Sequence, residues 1–206
     1  MESIKKYLLY FLILVYVSGS IGFVLNPDFF SPFTPFTLLL TCFVYLSYQP
    51  YNHSKFLWSF FILALIGYIF EIIGVKTGFI FGHYHYGKGL GTKVLEVPLI
   101  ISLNWALLIS IGINIAYHFF KNKYVVLIIG SLIATLTDVL IEQVASKLDF
   151  WKFDSGLAGI HNYVGWFLIS FFAGLLCYNS LIKGQFKSSL IILLLQLLFF
   201  TTIYIF

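Results

Sequence analysis

The sequence contains no arginine. Its twelve basic residues are all lysines, and with eight acids the charged residues make up only 10% of the chain. A soluble domain carries about 25% charged residues, so this composition cannot build a water-facing surface. A net charge of only +4, spread over separate loops, also excludes a nucleic-acid-binding face. There are just two cysteines, Cys42 and Cys177, each midway along an apolar run, which excludes a disulfide framework and offers no metal site. The five histidines do not form the histidine boxes of a di-iron desaturase or hydroxylase. No Ser-His-Asp arrangement or phosphate-cradling loop stands out. The last apolar segment holds no internal lysine for a retinal Schiff base. Redox and nucleotide chemistry are not indicated, and neither a cofactor nor a metal is expected.

What is present is oil. Hydrophobic residues account for 60% of the chain and aromatics for 20%. Seven apolar segments, roughly 6–25, 35–51, 56–75, 97–118, 124–145, 162–181 and 187–205, are long enough to span a bilayer core. They are separated by turn-rich or charged breaks at NPDFFSPFTP, YNHSK, HFFKNK, around Trp151 and at LIKGQFK. Lys5 and Lys6 ahead of an apolar run resemble a signal peptide, but no small-x-small cleavage site precedes Asn26, so the run reads as a first spanning helix. Backbone polar groups in lipid must be satisfied within each segment. The expected fold is therefore an all-α integral membrane protein, a bundle of about seven transmembrane helices forming one domain over 1–206, embedded in a lipid bilayer, without repeats.

Seven lysines (5, 6, 55, 121, 123, 183, 187) fall on one side of this topology and five (76, 88, 93, 147, 152) on the other. That bias favours a cytoplasmic N-terminus, in a bacterial plasma membrane. The acids are more lopsided. Glu2 is alone on the first side, whereas Asp28, Glu71, Glu96, Asp138, Glu142, Asp149 and Asp154 fall on or near the second. The two longest connections, 76–96 and 146–161, lie at that same end. Long connections in compact folds tend to be functional.

The first connection carries FGHYHYGKGLG, residues 81–91. Extended backbone there would put His83 and His85 on one side and Tyr84 and Tyr86 on the other. Its glycines permit a fold-back, so the segment reads as a re-entrant or capping loop whose rings line a pocket mouth. Upstream, Gly74/Gly78 and Gly78/Gly82 have the small-xxx-small spacing of close helix approach. The second connection, DFWKFDSGLAGIHNYVGWF, crowds Trp151, Phe153, Tyr163 and Trp166 around Asp154, His161 and Asn162. Rings also collect at membrane interfaces for purely physical reasons.

Glu71, in LIGYIFEIIG, stands among apolar neighbours. A carboxyl group so placed should face the bundle interior and marks a candidate site; a helix-end Glu reaching Lys76 is the simpler account. Asp138 and Glu142, in TLTDVLIEQV, are four apart and share one helix face. Two close carboxylates resist double ionisation, so the pair offers a donor and an acceptor together; ordinary contacts with Lys147 are the alternative. Asn162 opens a spanning segment and can orient a water or a carboxyl group. Asn104 and Trp105, following Val97-Pro98, are similar.

Glu71 with Gly74, Gly78, FGHYHY, Gly91, Val97-Pro98 and Trp105 resembles the first signature of the membrane carotenoid biosynthesis protein family. Asp138, Glu142, Ala145, Trp151 and HNYVGWF resemble the second. The resemblance covers roughly 65–175; His161 departs from the pattern. Characterised members of this family include bisanhydrobacterioruberin hydratases and gamma-carotene 1',2'-hydratases. What it implies is addition of water to the terminal double bond of an acyclic isoprenoid end, giving a tertiary alcohol, with a carotenoid and water as reactants and other pathway enzymes as possible neighbours. Glu71, Asp138 and Glu142 would then be the acid–base set. Tyr84, Tyr86, Trp105, Asn162 and Trp166 would hold the end group or the water. A small membrane carotenoid cyclase would use the same acids. A proton-coupled carrier or a non-catalytic scaffold are readings from other classes.

Overall fold

A computed structural model describes residues 2–49 and 53–206. Seven of its helical segments are long and apolar enough to cross a membrane. Helix α1 spans Glu2–Leu25. A short α2, Pro27–Phe30, starts at Asn26, whose side chain accepts from Phe29 N, with Pro27 preset for the first turn. It runs through a 3-10 turn, Ser31–Phe33, into α3, Thr34–Ser47. The proline-rich stretch that reads as a break is therefore helical and joins the second crossing. That crossing's expected end, at 51, lies outside the described residues. Next come α4, His53–Thr77; α5, Leu99–Phe119; α6, Lys123–Ala145; α7, Ile160–Leu181; and α8, Phe186–Ile205.

Helix α5 is the axis of the bundle. From Ile100 to Ala116 only Ser102 and Leu103 escape full burial. It packs against α3, α4, α6, α7 and α8, as a helix that is apolar on every face must. Its tightest neighbour is α6: a Cβ added at Gly112 would overlap the Gly130 carbonyl oxygen, so the two backbones touch. This is the close helix approach of the protein, and it uses one glycine from each helix. The in-line glycines near 78 act differently. Gly78, at φ +64°, ends α4 with its N–H on the Gly74 carbonyl, and Gly74 makes room for the Phe81 ring.

The two long connections form one small lid over the acid-rich end. Strand β1, Tyr84–Tyr86, pairs antiparallel with β4, Trp151–Phe153, with Tyr84 opposite Phe153 and Tyr86 opposite Trp151. Between them in sequence, β2 (Lys93–Val94) and β3 (Val97–Pro98) make a tight hairpin. As the alternation predicts, Tyr84 and Tyr86 point inward while His83 and His85 are exposed. Gly87 lies where any side chain would strike Asp149, and its N–H meets the Phe150 carbonyl. That contact lets the glycine-rich segment lie flat on the second connection.

Candidate active site

Glu71 lies six residues from the end of α4, about 9 Å inside it at 1.5 Å per residue. It is 4% exposed. Gly67, one turn earlier, has no side chain because Trp105 occupies that space. The carboxyl group is held on three sides. Tyr84 and Tyr86 hydroxyls donate to Oε2 at 2.5 and 2.6 Å, and Trp105 Nε1 donates to Oε1 at 2.8 Å. Burial first, and the Glu71 charge second, push both phenols well above their ordinary range, so both remain donors. The Trp105 indole lies flat against Trp166 of α7, centroids 3.5 Å apart and planes within 4°.

Asp138 and Glu142 face the same interior from α6. Asn162, in the first turn of α7, donates from Nδ2 to Asp138 Oδ2 at 3.4 Å and to Glu142 Oε1 at 3.3 Å. Trp151 Nε1 donates to Glu142 Oε2 at 3.0 Å. Asp138 is 1% exposed and its Oδ1 has no partner, whereas Glu142 is only partly buried. The lysine alternatives do not hold: Lys147 donates to the Ile203 carbonyl. Among the described residues no lysine pairs with a carboxylate, and exposed His85 and Asp154 lie 3.5 Å apart.

Glu71, Asp138, Glu142, Tyr84, Tyr86, Asn162 and Trp166 line a single chamber, closed by Phe81, Ile101, Trp151 and Phe153. Trp105 reaches it through Glu71 and Trp166. The eight residues expected to form the acid–base set and to hold the end group or water are thus brought together, from α4, α5, α6, α7 and β1. The chamber is small, about 10 Å³, about what one water needs. His161 is exposed and approaches Gly82, outside this chamber.

Beside the chamber lies a much larger space that sequence reasoning missed. A groove of about 440 Å³ runs between α1, the α2–α3 crossing, α5 and α8, within the size range of small-molecule sites. Phe11, Phe29, Phe33 and Phe36 form its exposed edge, and Tyr16, Phe23, Phe150, Ile141 and Phe200 line its buried part. Few polar atoms enter it; among them are Tyr16, bonded to Thr41 at 3.1 Å, and Gln196, whose buried Oε1 has no partner. The phenylalanines of DFFSPFTPF were the available signal.

The fold and site together define a multi-pass membrane protein with a buried three-carboxyl chamber beside a lipid-sized groove. The family profile described as carotenoid biosynthesis protein matches residues 33–206, and the chain belongs to that family. Helix α1, one wall of the groove, lies ahead of the matched region. Neither a curated protein nor a solved structure matches the chain.

Proposed function

We propose that the protein is a carotenoid hydratase, adding water across the terminal double bond of an acyclic isoprenoid end to give a tertiary alcohol. The observation that carries this reading is a pair of neighbouring spaces with two lining residues in common. One is aromatic and rimmed by exposed phenylalanines; the other is walled by carboxyl groups and is about the size one water needs.

The hydrogen bonds support one assignment of roles. Both Glu71 oxygens accept, from three donors, which stabilises it as an anion. Asp138 has one long amide contact and one oxygen without any, so it is poorly solvated as an anion and holds the proton. Asp138 protonates the less substituted alkene carbon. The π pair forms the new C–H bond and leaves a tertiary cation on the neighbouring carbon. The fixed Glu71 charge and the Trp166 face stabilise that cation. Water attacks it, and Glu142 takes the proton that the water loses. Glu142, held beside Asp138 by Asn162, then passes that same proton back to Asp138 through a water, which restores both acids. The sum is alkene plus water to alcohol, with no change in oxidation state and no cofactor in the balance.

A cyclase would start with the same protonation and capture the cation with an internal double bond. The chamber wall carries three carboxyl groups, two phenols and the Asn162 amide, polar groups that hold water beside the cation, and this favours capture by water over capture by an internal double bond. The test is expression in a bacterium that makes lycopene and gamma-carotene, with an empty-vector control. Hydration gives a more polar pigment heavier by one water with an unchanged chromophore. An isomer of unchanged mass would replace hydration with cyclisation. The original pigments alone, with the protein present in the membrane, would refute both.

A further inference from the structure

The groove and the chamber share two lining residues, Ile101 and Trp151. Ile101 sits in the first turn of α5 and is 2% exposed; Trp151 begins β4 and is 8% exposed. The lid fixes Trp151. It stands opposite Tyr86 in the strand pair, meets that ring edge-on at 5.9 Å, and donates its indole N–H to Glu142. Ile101 is fixed by the helix that forms the bundle axis. The groove's phenylalanines line only the one space and the three carboxyl groups only the other, and Ile101 and Trp151 are the residues common to both linings.

We propose that Ile101 and Trp151 form an aperture that selects the end group, passing a slim unringed isoprenoid end to the carboxyl groups and holding back a ring. Selection then occurs after binding. Ring-ended and linear polyenes share the groove, and only the linear end advances past the pair. Because Trp151 also holds Glu142, an end that enters displaces the wall that keeps Glu142 in place. This rests on the hydratase reading for its chemistry but not for its test.

The test uses the full chain in lipid nanodiscs and two light-activated probes, each a linear isoprenoid polyene. One carries a diazirine at an unringed terminus and the other a diazirine on a terminal ring. Labelled residues are mapped by mass spectrometry. In the wild type the linear probe labels Asp138, Glu142 or Glu71, and the ring probe labels groove residues only. Ile101→Phe, which narrows the passage, moves the linear label into the groove and lowers carboxyl labelling at least tenfold, with total labelling within threefold of wild type. Ile101→Ala, which widens the passage, admits the ring probe and covers the case in which the phenylalanine variant does not fold. The proposal is overturned if the ring probe reaches the carboxyl groups in the wild type. It is equally overturned if the linear probe never reaches them, or if neither Ile101 variant shifts the pattern. The hydratase reading fails separately, when the wild type is labelled at the carboxyl groups yet forms no hydrated product from a linear polyene.

Discussion

Asp138→Asn separates chemistry from stability more cleanly than any other change in this protein. The amide is isosteric with the carboxyl group, and its oxygen can still accept from Asn162, so the 3.4 Å contact survives. What disappears is the transferable proton. General acids contribute about 10²–10⁴ in rate, or about 2.7–5.5 kcal/mol of barrier, so hydration should fall by that factor. Stability should move the other way. Side chains at i and i+4 lie about 6 Å apart, and two charges at that distance repel by roughly 3 kcal/mol at an effective dielectric constant of 20. On the proposed roles Asp138 holds a proton and most of this repulsion is already avoided, so removing one acid should leave stability equal or raise it by up to about 1 kcal/mol. The assay is paired: pigment conversion by chromatography, and thermal unfolding of the detergent-solubilised protein. Retained conversion within tenfold would refute Asp138 as the proton donor. Lost conversion with a melting temperature lower by many degrees would show that the loss came from a damaged fold.

Three further outcomes follow from geometry. A Cβ at Gly19 in α1 would meet nothing within 4 Å, and the residue lines the groove; Gly19→Phe should leave folding intact, since glycine is a poor helix residue by about 1 kcal/mol, while cutting polyene binding at least tenfold in a fluorescence-quenching titration. Gly112→Ala drives a methyl group into the α6 backbone and should cost about 1–3 kcal/mol or more, read as lower melting temperature and poorer membrane yield. In the β2–β3 hairpin Leu95 and Glu96 hold φ at +52° and +72°, the left-handed pair that two-residue hairpin turns reserve for Asn-Gly; Glu96→Gly should raise stability by about 0.5–1 kcal/mol, and an unchanged or lower melting temperature would contradict it.

The bundle was legible because lipid leaves so few options: seven long apolar runs must be helices, and their ends differ from the observed ones by a few residues apart from the second crossing. Its start was misplaced because Asn26, Pro27, Ser31, Pro32 and Pro35 carry turn chemistry that here also caps and opens helices. The acids were legible for the same reason as the bundle. A carboxyl group such as Glu71 in LIGYIFEIIG has no water to face, so it must face protein, and Asp138 and Glu142 share a face by arithmetic. The meeting of these groups was only inferable, since it depends on β1 pairing with β4, a contact between residues about 65 positions apart that no local pattern announces.

The groove was invisible for a different reason. Its walls are phenylalanines, leucines and helix faces that look identical to lipid-facing surface, and an apolar cavity inside an apolar protein changes neither composition nor period. Yet on the proposed reading it is the groove that selects what the carboxyl chamber acts on. A water-sized chamber alone would suit many proton-handling proteins. Set beside an aromatic groove that shares Ile101 and Trp151 with it, it suits the proposed guest, apolar along its length and reactive at its tip. The two spaces come from opposite demands on one helix, α5: its Asn104 and Ile101 border the groove, while neighbouring Trp105 turns away from it to fix Glu71. A one-residue insertion in α5 just ahead of Asn104 would turn the residues that follow by about 100°, and would therefore take Asn104 off the groove and Trp105 off Glu71 together.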